Sequence, residues 1–197
     1  MCHFWPGAQF VTAFLRADVS TDEVRLNPEH SEHMWIARAD KPRGEEARTR
    51  RSRDGSWTKK GGKSSFGYKL HAKSDVDLVL IRDLETTTAS VHDSRVDLSR
   101  EGEGVYRDKG YFGVEPRGWD ATMRRGVRGH PLGIRDRLRN RRISRKRSPG
   151  ERPFAVIKRV FHAGHVMVTT VRRVHVKMVF ACLCFNLVKL GSLAGGP

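Results

Sequence analysis

Apolar residues with a readable period are confined to two parts of this chain, and that confinement limits what it can fold into. In the first part Phe66, Tyr68, Leu70 and Ala72 alternate with Gly67, Lys69, His71 and Lys73, the period of two of a half-buried strand. In the second, Phe154, Ile157, Lys158 and Phe161 have helical spacing. Val171 to Leu190 then reads as a final helix, apolar on most sides from Met178 onward and so expected to be largely buried. Between them, Asp75 to Asp77 is a turn and Leu78 to Ile81 opens a second strand that pairs with the first as a hairpin. Val91 to Ser94 starts a short helical or loop stretch, and Gly104 to Asp108 reads as a third strand. Nothing before residue 64 has the pattern of a packed core. Strands come first and helices late, which is a mixed α/β class.

Charge decides the class of partner. The 197 residues carry 38 Lys and Arg against 22 Asp and Glu, a formal charge of +16. A polyanion is the expected partner, nucleic acid ahead of acidic membrane. The mean hydropathy is negative. The longest apolar run, Met178 to Val188, is interrupted by Asn186 and falls short of the ~20 residues needed to span a bilayer. The opening residues lack the basic region that precedes a signal peptide's apolar stretch. The expectation is a soluble, cytoplasmic protein with no membrane partner. Cys2, Cys182 and Cys184 have neither even number nor metal spacing, and the last two read as small buried hydrophobes. Twelve cations fall between residues 117 and 147 against Asp120 and Asp136 alone, either a solvated insertion or a polyanion-binding face.

Three places could hold chemistry. Asp108 ends the third strand and is followed by Lys109-Gly110-Tyr111; a carboxylate there is well placed for a metal, and equally for starting a turn. Glu151 is bracketed by Arg147, four residues before it, and by Lys158, two helical turns after it. That arrangement suits a metal carboxylate between two phosphate-holding cations, and also a helix start that favours acidic residues. His71 with His92-Asp93 suggests a zinc site or an acid–base pair. No H-x-x-x-H, H-E-x-x-H, nucleophile elbow or phosphate-binding glycine motif accompanies them. His162 and His165 flank Gly164 and read as loop.

Taken in order, the segments resemble the DDE transposases of bacterial and archaeal insertion sequences, of the insertion-sequence-five group. The resemblance runs over about residues 41–190. It is carried by Trp57-Thr58-Lys59-Lys60-Gly61-Gly62-Lys63, Phe66-Gly67-Tyr68-Lys69-Leu70-His71 and Val91-His92-Asp93-Ser94. It continues through Tyr106-Arg107-Asp108-Lys109-Gly110-Tyr111, Asn140-Arg141-Arg142-Ile143-Ser144-Arg145 and Glu151-Arg152-Pro153-Phe154, and ends on Phe185-Asn186-Leu187.

The resemblance implies an RNase H-like mixed sheet with helices that cuts and joins DNA at the ends of a mobile element. In such enzymes three carboxylates hold two divalent cations, Mg²⁺ or Mn²⁺. Asp108 and Glu151 match the second and third, as catalytic and metal-binding residues. Lys59, Lys60, Lys63, Arg141, Arg142, Arg147 and Lys158 are then the DNA-binding set. The implied partners are terminal inverted repeats and target DNA, with a homodimer in the synaptic complex, and the setting is the nucleoid. Two departures follow. Ser144 stands where the family has a tyrosine. The first catalytic Asp, expected on the opening strand, is missing from Met34 to Asp40, and Asp40 itself lies too near the basic loop. The sheet is therefore expected to be incomplete at its N-terminal strand. Residues 1–40 form an atypical segment for which disorder is one reading, with the look of a replaced or out-of-frame start. Residues 41–190 form a partial domain with the basic insert 117–147, and 191–197 a tail. A degenerate or partial transposase follows, the alternative being an inactive DNA-binding remnant. A ribosomal type of basic binder is disfavoured, because it has no use for these carboxylates.

Overall fold

The computed structural model describes residues 29–39, 54–168 and 170–194. Asp40 and most of the basic loop that follows it lie outside the described residues, as do 1–28 and 195–197.

Seven strands form one mixed sheet. They are β1 (Glu29–Ala39), β2 (Ser56–Lys60), β3 (Lys63–Asp75), β4 (Ile81–Thr88), β5 (Gly104–Arg107), β6 (Trp119–Thr122) and the short β7 (His165–Val166). The order across the sheet is β2-β3-β1-β5-β6; β4 continues the β3 edge beyond β2, and β7 pairs the far end of β1. β3 is antiparallel to β1, β2 and β4, whereas β5 and β7 run parallel to β1 and β6 parallel to β5. Three helices follow: α1 (Ile134–Arg147), α2 (Arg152–Arg159) and α3 (Val171–Ala194). The fold is the mixed α/β arrangement expected for an RNase H-like domain.

The hairpin of β3 and β4, the short β5 and helices α2 and α3 lie where the sequence pattern puts them. The N-terminal strand does not conform to expectation: it is present, and it is central. β1 is eleven residues long and pairs along most of its length with β3, from His30 opposite Asp75 to Arg38 opposite Gly67. Its half from Trp35 to Ala39 buries apolar side chains. Its other half, His30-Ser31-Glu32-His33, is buried and polar. Burying such groups is tolerated only where each finds a partner, and here the partners come from distant sequence. Glu32 takes Arg107 Nε at 2.8 Å and Nη2 at 3.2 Å. Ser31 Oγ lies 3.2 Å from Ser74 Oγ. No periodicity can announce a strand whose burial depends on ion pairs 75 positions away.

Alternation along β1 gives the sheet two unlike faces. One carries Trp35, Ala37, Tyr68 and Leu70 and packs under α2 and α3 through Phe154, Ile157, Val174, Met178, Cys182 and Phe185. Each large apolar side chain buried there contributes about 1.5–3 kcal/mol. The other face is a buried polar layer. Lys69 pairs with Asp93 at 2.8 Å, Lys73 with Glu103 at 2.9 Å, and Arg107 with both Glu32 and Asp97.

Helix α3 departs from the expected burial. Only a stripe, Val174, Met178, Ala181, Cys182 and Phe185, is covered, while Phe180 is 62% and Val188 65% exposed. Cys184 is exposed as well, not buried like Cys182. The helix continues to Ala194, through the start of the expected tail, and at 24 residues it is long and apolar enough to cross a membrane by length and composition alone. Asn186, read in the sequence as an interruption, serves as a strand partner. Its side chain accepts from Ile81 N at 2.9 Å and donates to Ile81 O at 2.8 Å, closing the open edge of β4. The basic stretch 117–147 is likewise no single insertion, since it supplies edge strand β6 and helix α1.

Candidate active site

A cleft of about 450 Å³ opens over the join of β1, β5 and α2. Register sets its centre. The parallel ladder pairs Glu29 with Gly104, His30 with Val105 and Ser31 with Tyr106. Two steps further, His33 falls beside Asp108, on the same face because side chains alternate along both strands. Glu32, one residue away, points to the opposite face and is held there by Arg107.

Asp108 follows directly on β5. Its Oδ1 accepts the Lys109 amide at 2.7 Å and caps the 3-10 turn Lys109–Tyr111, at the lining of the cleft. Glu151 arrives from the other side. The turn Ser148–Glu151 between α1 and α2 presses Gly150 against β1: a Cβ there would stand 2.3 Å from His33 Nε2 and 2.5 Å from Ser31 Oγ. Only a glycine lets this turn approach so closely, and that approach carries Glu151 to the cleft.

Arg147 ties the cluster together. Its Nη2 donates to Glu151 Oε1 at 2.7 Å and its Nη1 to His33 Nδ1 at 3.1 Å. A guanidinium cannot accept, so Nδ1 is the bare nitrogen and the ring proton sits on Nε2, which donates to Ser31 Oγ at 3.0 Å. Burial, then the Arg147 charge, pushes His33 down to about 3, against the pull of Asp108. The imidazole is therefore neutral at any ordinary pH. Lys158 Nζ stands 4.9 Å from the centroid of the Trp35 ring. Burial and the charges of Lys60 and Arg38 hold Lys158 below the usual lysine value.

The sequence-expected residues separate into groups. Asp108, Glu151, Arg147, Lys158 and Lys60 all line the cleft, together with Arg159. Lys59 and Lys63 sit on the exposed β2–β3 hairpin and do not line it. Arg141 and Arg142 lie on α1, Arg142 facing a second groove. The other histidine candidates do not converge. His71 Nε2 bonds Thr87 Oγ1 at 3.0 Å and His92 caps its own turn; Asp93 does line the cleft with Asp108 and Glu151, where Lys69 holds it. Sequence reasoning missed His33; the only signal for it is its register with Asp108.

Residues 37–187, about three-quarters of the chain, match the family described as "Transposase DDE domain". The chain belongs to the DDE transposase family. No curated protein and no solved structure gives a significant match. The matched span begins near the end of β1, so His33 lies just before it.

Membership in the DDE transposases implies a DNA partner, transposase-type cleavage and transfer, and a divalent-metal cofactor. The donor set of the described residues does not fit a pair of such ions. Four acidic residues of the described chain line the cleft, but Glu32 is held by Arg107 and Asp93 by Lys69, which leaves Asp108 and Glu151 without a cationic partner of the polar layer. Beside Asp108 in the parallel register stands a neutral imidazole whose nitrogens are both committed, and a guanidinium already spans His33 and Glu151. Among the described residues no three His, Cys, Asp or Glu side chains are grouped to hold a metal.

Proposed function

We propose that this chain is an insertion-sequence transposase by descent, of the insertion-sequence-five group, and a degenerate copy whose strand cleavage and transfer are lost or reduced by orders of magnitude. It keeps the DNA-binding part of the activity. The observation that carries this reading is the placement of His33 beside Asp108, where the fold calls for a third carboxylate. Asp108 and Glu151 remain as the two acidic residues of the centre. Arg147, Lys158 and Lys60 surround them with positive charge suited to a DNA phosphodiester, the backbone contact that dominates such affinity. The nucleoid is the setting this reading assigns to the protein, and a homodimer on paired element ends its assembly.

The test is a nicking and binding assay on supercoiled plasmid in Mg²⁺ or Mn²⁺. Tight, salt-sensitive binding is expected, with no more nicking than by the Asp108→Ala/Glu151→Ala double variant. Nicking by the wild type that the double variant lacks would overturn the degenerate reading. Absence of DNA binding at low salt would overturn the DNA reading itself.

A further inference from the structure

A second groove, of about 840 Å³, runs between edge strand β6 and helix α1, away from the cleft. Its most conspicuous occupant is Trp119, whose side chain is 86% exposed. Such exposure of a tryptophan needs an explanation, and the backbone supplies half of it. Gly118 is packed so tightly that a Cβ would stand 2.2 Å from Glu103 O, and Trp119 N donates to the same carbonyl at 2.6 Å. The ring is thus presented from a pinned point. Across the ladder Trp119 pairs with Gly104, so no side chain on β5 lies alongside to cover it.

The other half is the facing helix. Arg135, Arg139, Arg142 and Lys146 line the groove at spacings of four, three and four, one stripe of α1 about 16 Å long. Arg139 is structural: it donates to Thr122 O at 2.7 Å and fastens β6 to the helix. Lys146 pairs with Glu29 and stands over the Tyr106 ring. The acids are occupied too, Glu29 with Lys146 and Tyr106, and Asp120 with the Thr122 amide. The side chains of Arg135 and Arg142 make no ion pair or hydrogen bond among the described residues. Two uncommitted guanidinium groups therefore face an exposed indole across an otherwise apolar floor of Leu138 and Ile143.

We propose that this groove binds one unpaired nucleotide of a DNA strand, its base stacked on Trp119 and its flanking phosphates on Arg135 and Arg142. Aromatic rings beside cations are how proteins hold single strands without reading their sequence. The charge disfavours an apolar peptide, and the lone exposed ring has nothing to offer a closed duplex. Lys146 lines this groove and its neighbour Arg147 lines the cleft. A strand unpaired at the groove is therefore led along α1 toward Asp108 and Glu151. This inference rests on the DNA-binding reading above and adds where, and in which form, the strand is held.

The full chain is titrated with a 20-nucleotide strand carrying one 2-aminopurine, and with the same strand in a blunt duplex. The wild type is expected to change the 2-aminopurine emission of the single strand by stacking. Trp119→Ala should weaken single-strand binding about 5- to 150-fold and abolish that change, with duplex affinity within about twofold. Trp119→Phe should retain most of both. Arg135→Ala and Arg142→Ala should each reduce the single-strand salt slope by about 0.7. Because Trp119 is exposed, its replacement leaves the fold intact, which circular dichroism checks. Duplex binding with no effect of Trp119→Ala, or an equal loss on both probes, overturns this inference alone. No binding of either probe at low salt overturns it together with the DNA reading.

Discussion

His33 on β1 stands beside Asp108 at the end of β5, two steps past the Ser31–Tyr106 pair of a parallel ladder. The imidazole of His33, not a carboxylate, is therefore what β1 sets opposite Asp108 on the cleft face, and Arg147 closes over it onto Glu151.

Replacing that one side chain should restore cation binding. His33→Asp would set a third carboxylate against Asp108 and Glu151 and remove the acceptor that holds Arg147 across the cleft. Without metal the variant should be less stable by about 1–3 kcal/mol, because a buried group loses its partners. At a Mn²⁺ concentration one hundred times its Kd, binding should return about 2.7 kcal/mol. For a chain of this size that is roughly 5–10 °C in Tm. The wild type should shift by less than about 1 °C. Differential scanning calorimetry with and without Mn²⁺ reads both, and equal shifts in the two proteins would show that His33 does not block the site.

Acid should destabilise the fold well above the carboxylate range. His33 is held down to about 3 and His71 to about 4, in both cases chiefly by burial. An unfolded chain takes up a proton on each near pH 6.5, whereas the folded one refuses it. The unfolded state thus binds more protons between these values, and stability rises with pH through that window. Both contributions are fully present above about pH 6.5. They are lost as pH falls toward 4, at about 1.4 kcal/mol per pH unit for each group. Urea midpoints measured from pH 7 to 4.5 should fall with a slope near two protons, and near one for His33→Gln. An unchanged slope in that variant would mean that His33 is not the buried neutral base described.

The polar face of the sheet has its own test. Arg107 is completely buried and holds Glu32 and Asp97. Arg107→Leu should cost about 3–5 kcal/mol, since it strands a buried carboxylate. Adding Glu32→Leu should recover a large part of that loss. Chemical denaturation of the single and double variants gives the comparison, and an additive result would show that the two side chains do not act as a pair.

How much of this was legible follows from what each residue depends on. Leu70, Ile157 and Met178 announce their elements through local period, and the strings around Asp108 and Glu151 single out, through the family resemblance, two carboxylates that both line the cleft. β1 was illegible because Glu32 and His33 are buried against Arg107 and Arg147, whose positions only the fold supplies. Trp119 was passed over because its meaning lies in its exposure, and exposure is set by Gly104 across the ladder. The apolar run of α3 suggests a largely buried helix; only the structure shows how much of it faces outward.

Asn186 provides a closing test of the joint between helix and sheet. Set in the apolar run of α3, its amide reproduces both halves of a strand's hydrogen bonding to Ile81, at the edge of β4. Asn186→Leu keeps the size and removes both bonds. It leaves a buried amide and carbonyl without partners, at about 1–3 kcal/mol each for the two groups. The loss should appear as a lower urea midpoint with an unchanged m value, and as faster amide exchange confined to Ile81 and its neighbours. Asn186→Asp should keep the acceptor and lose the donor, falling between the two. If Asn186→Leu were as stable as the wild type, the late helix would be held by Met178, Cys182 and Phe185 alone.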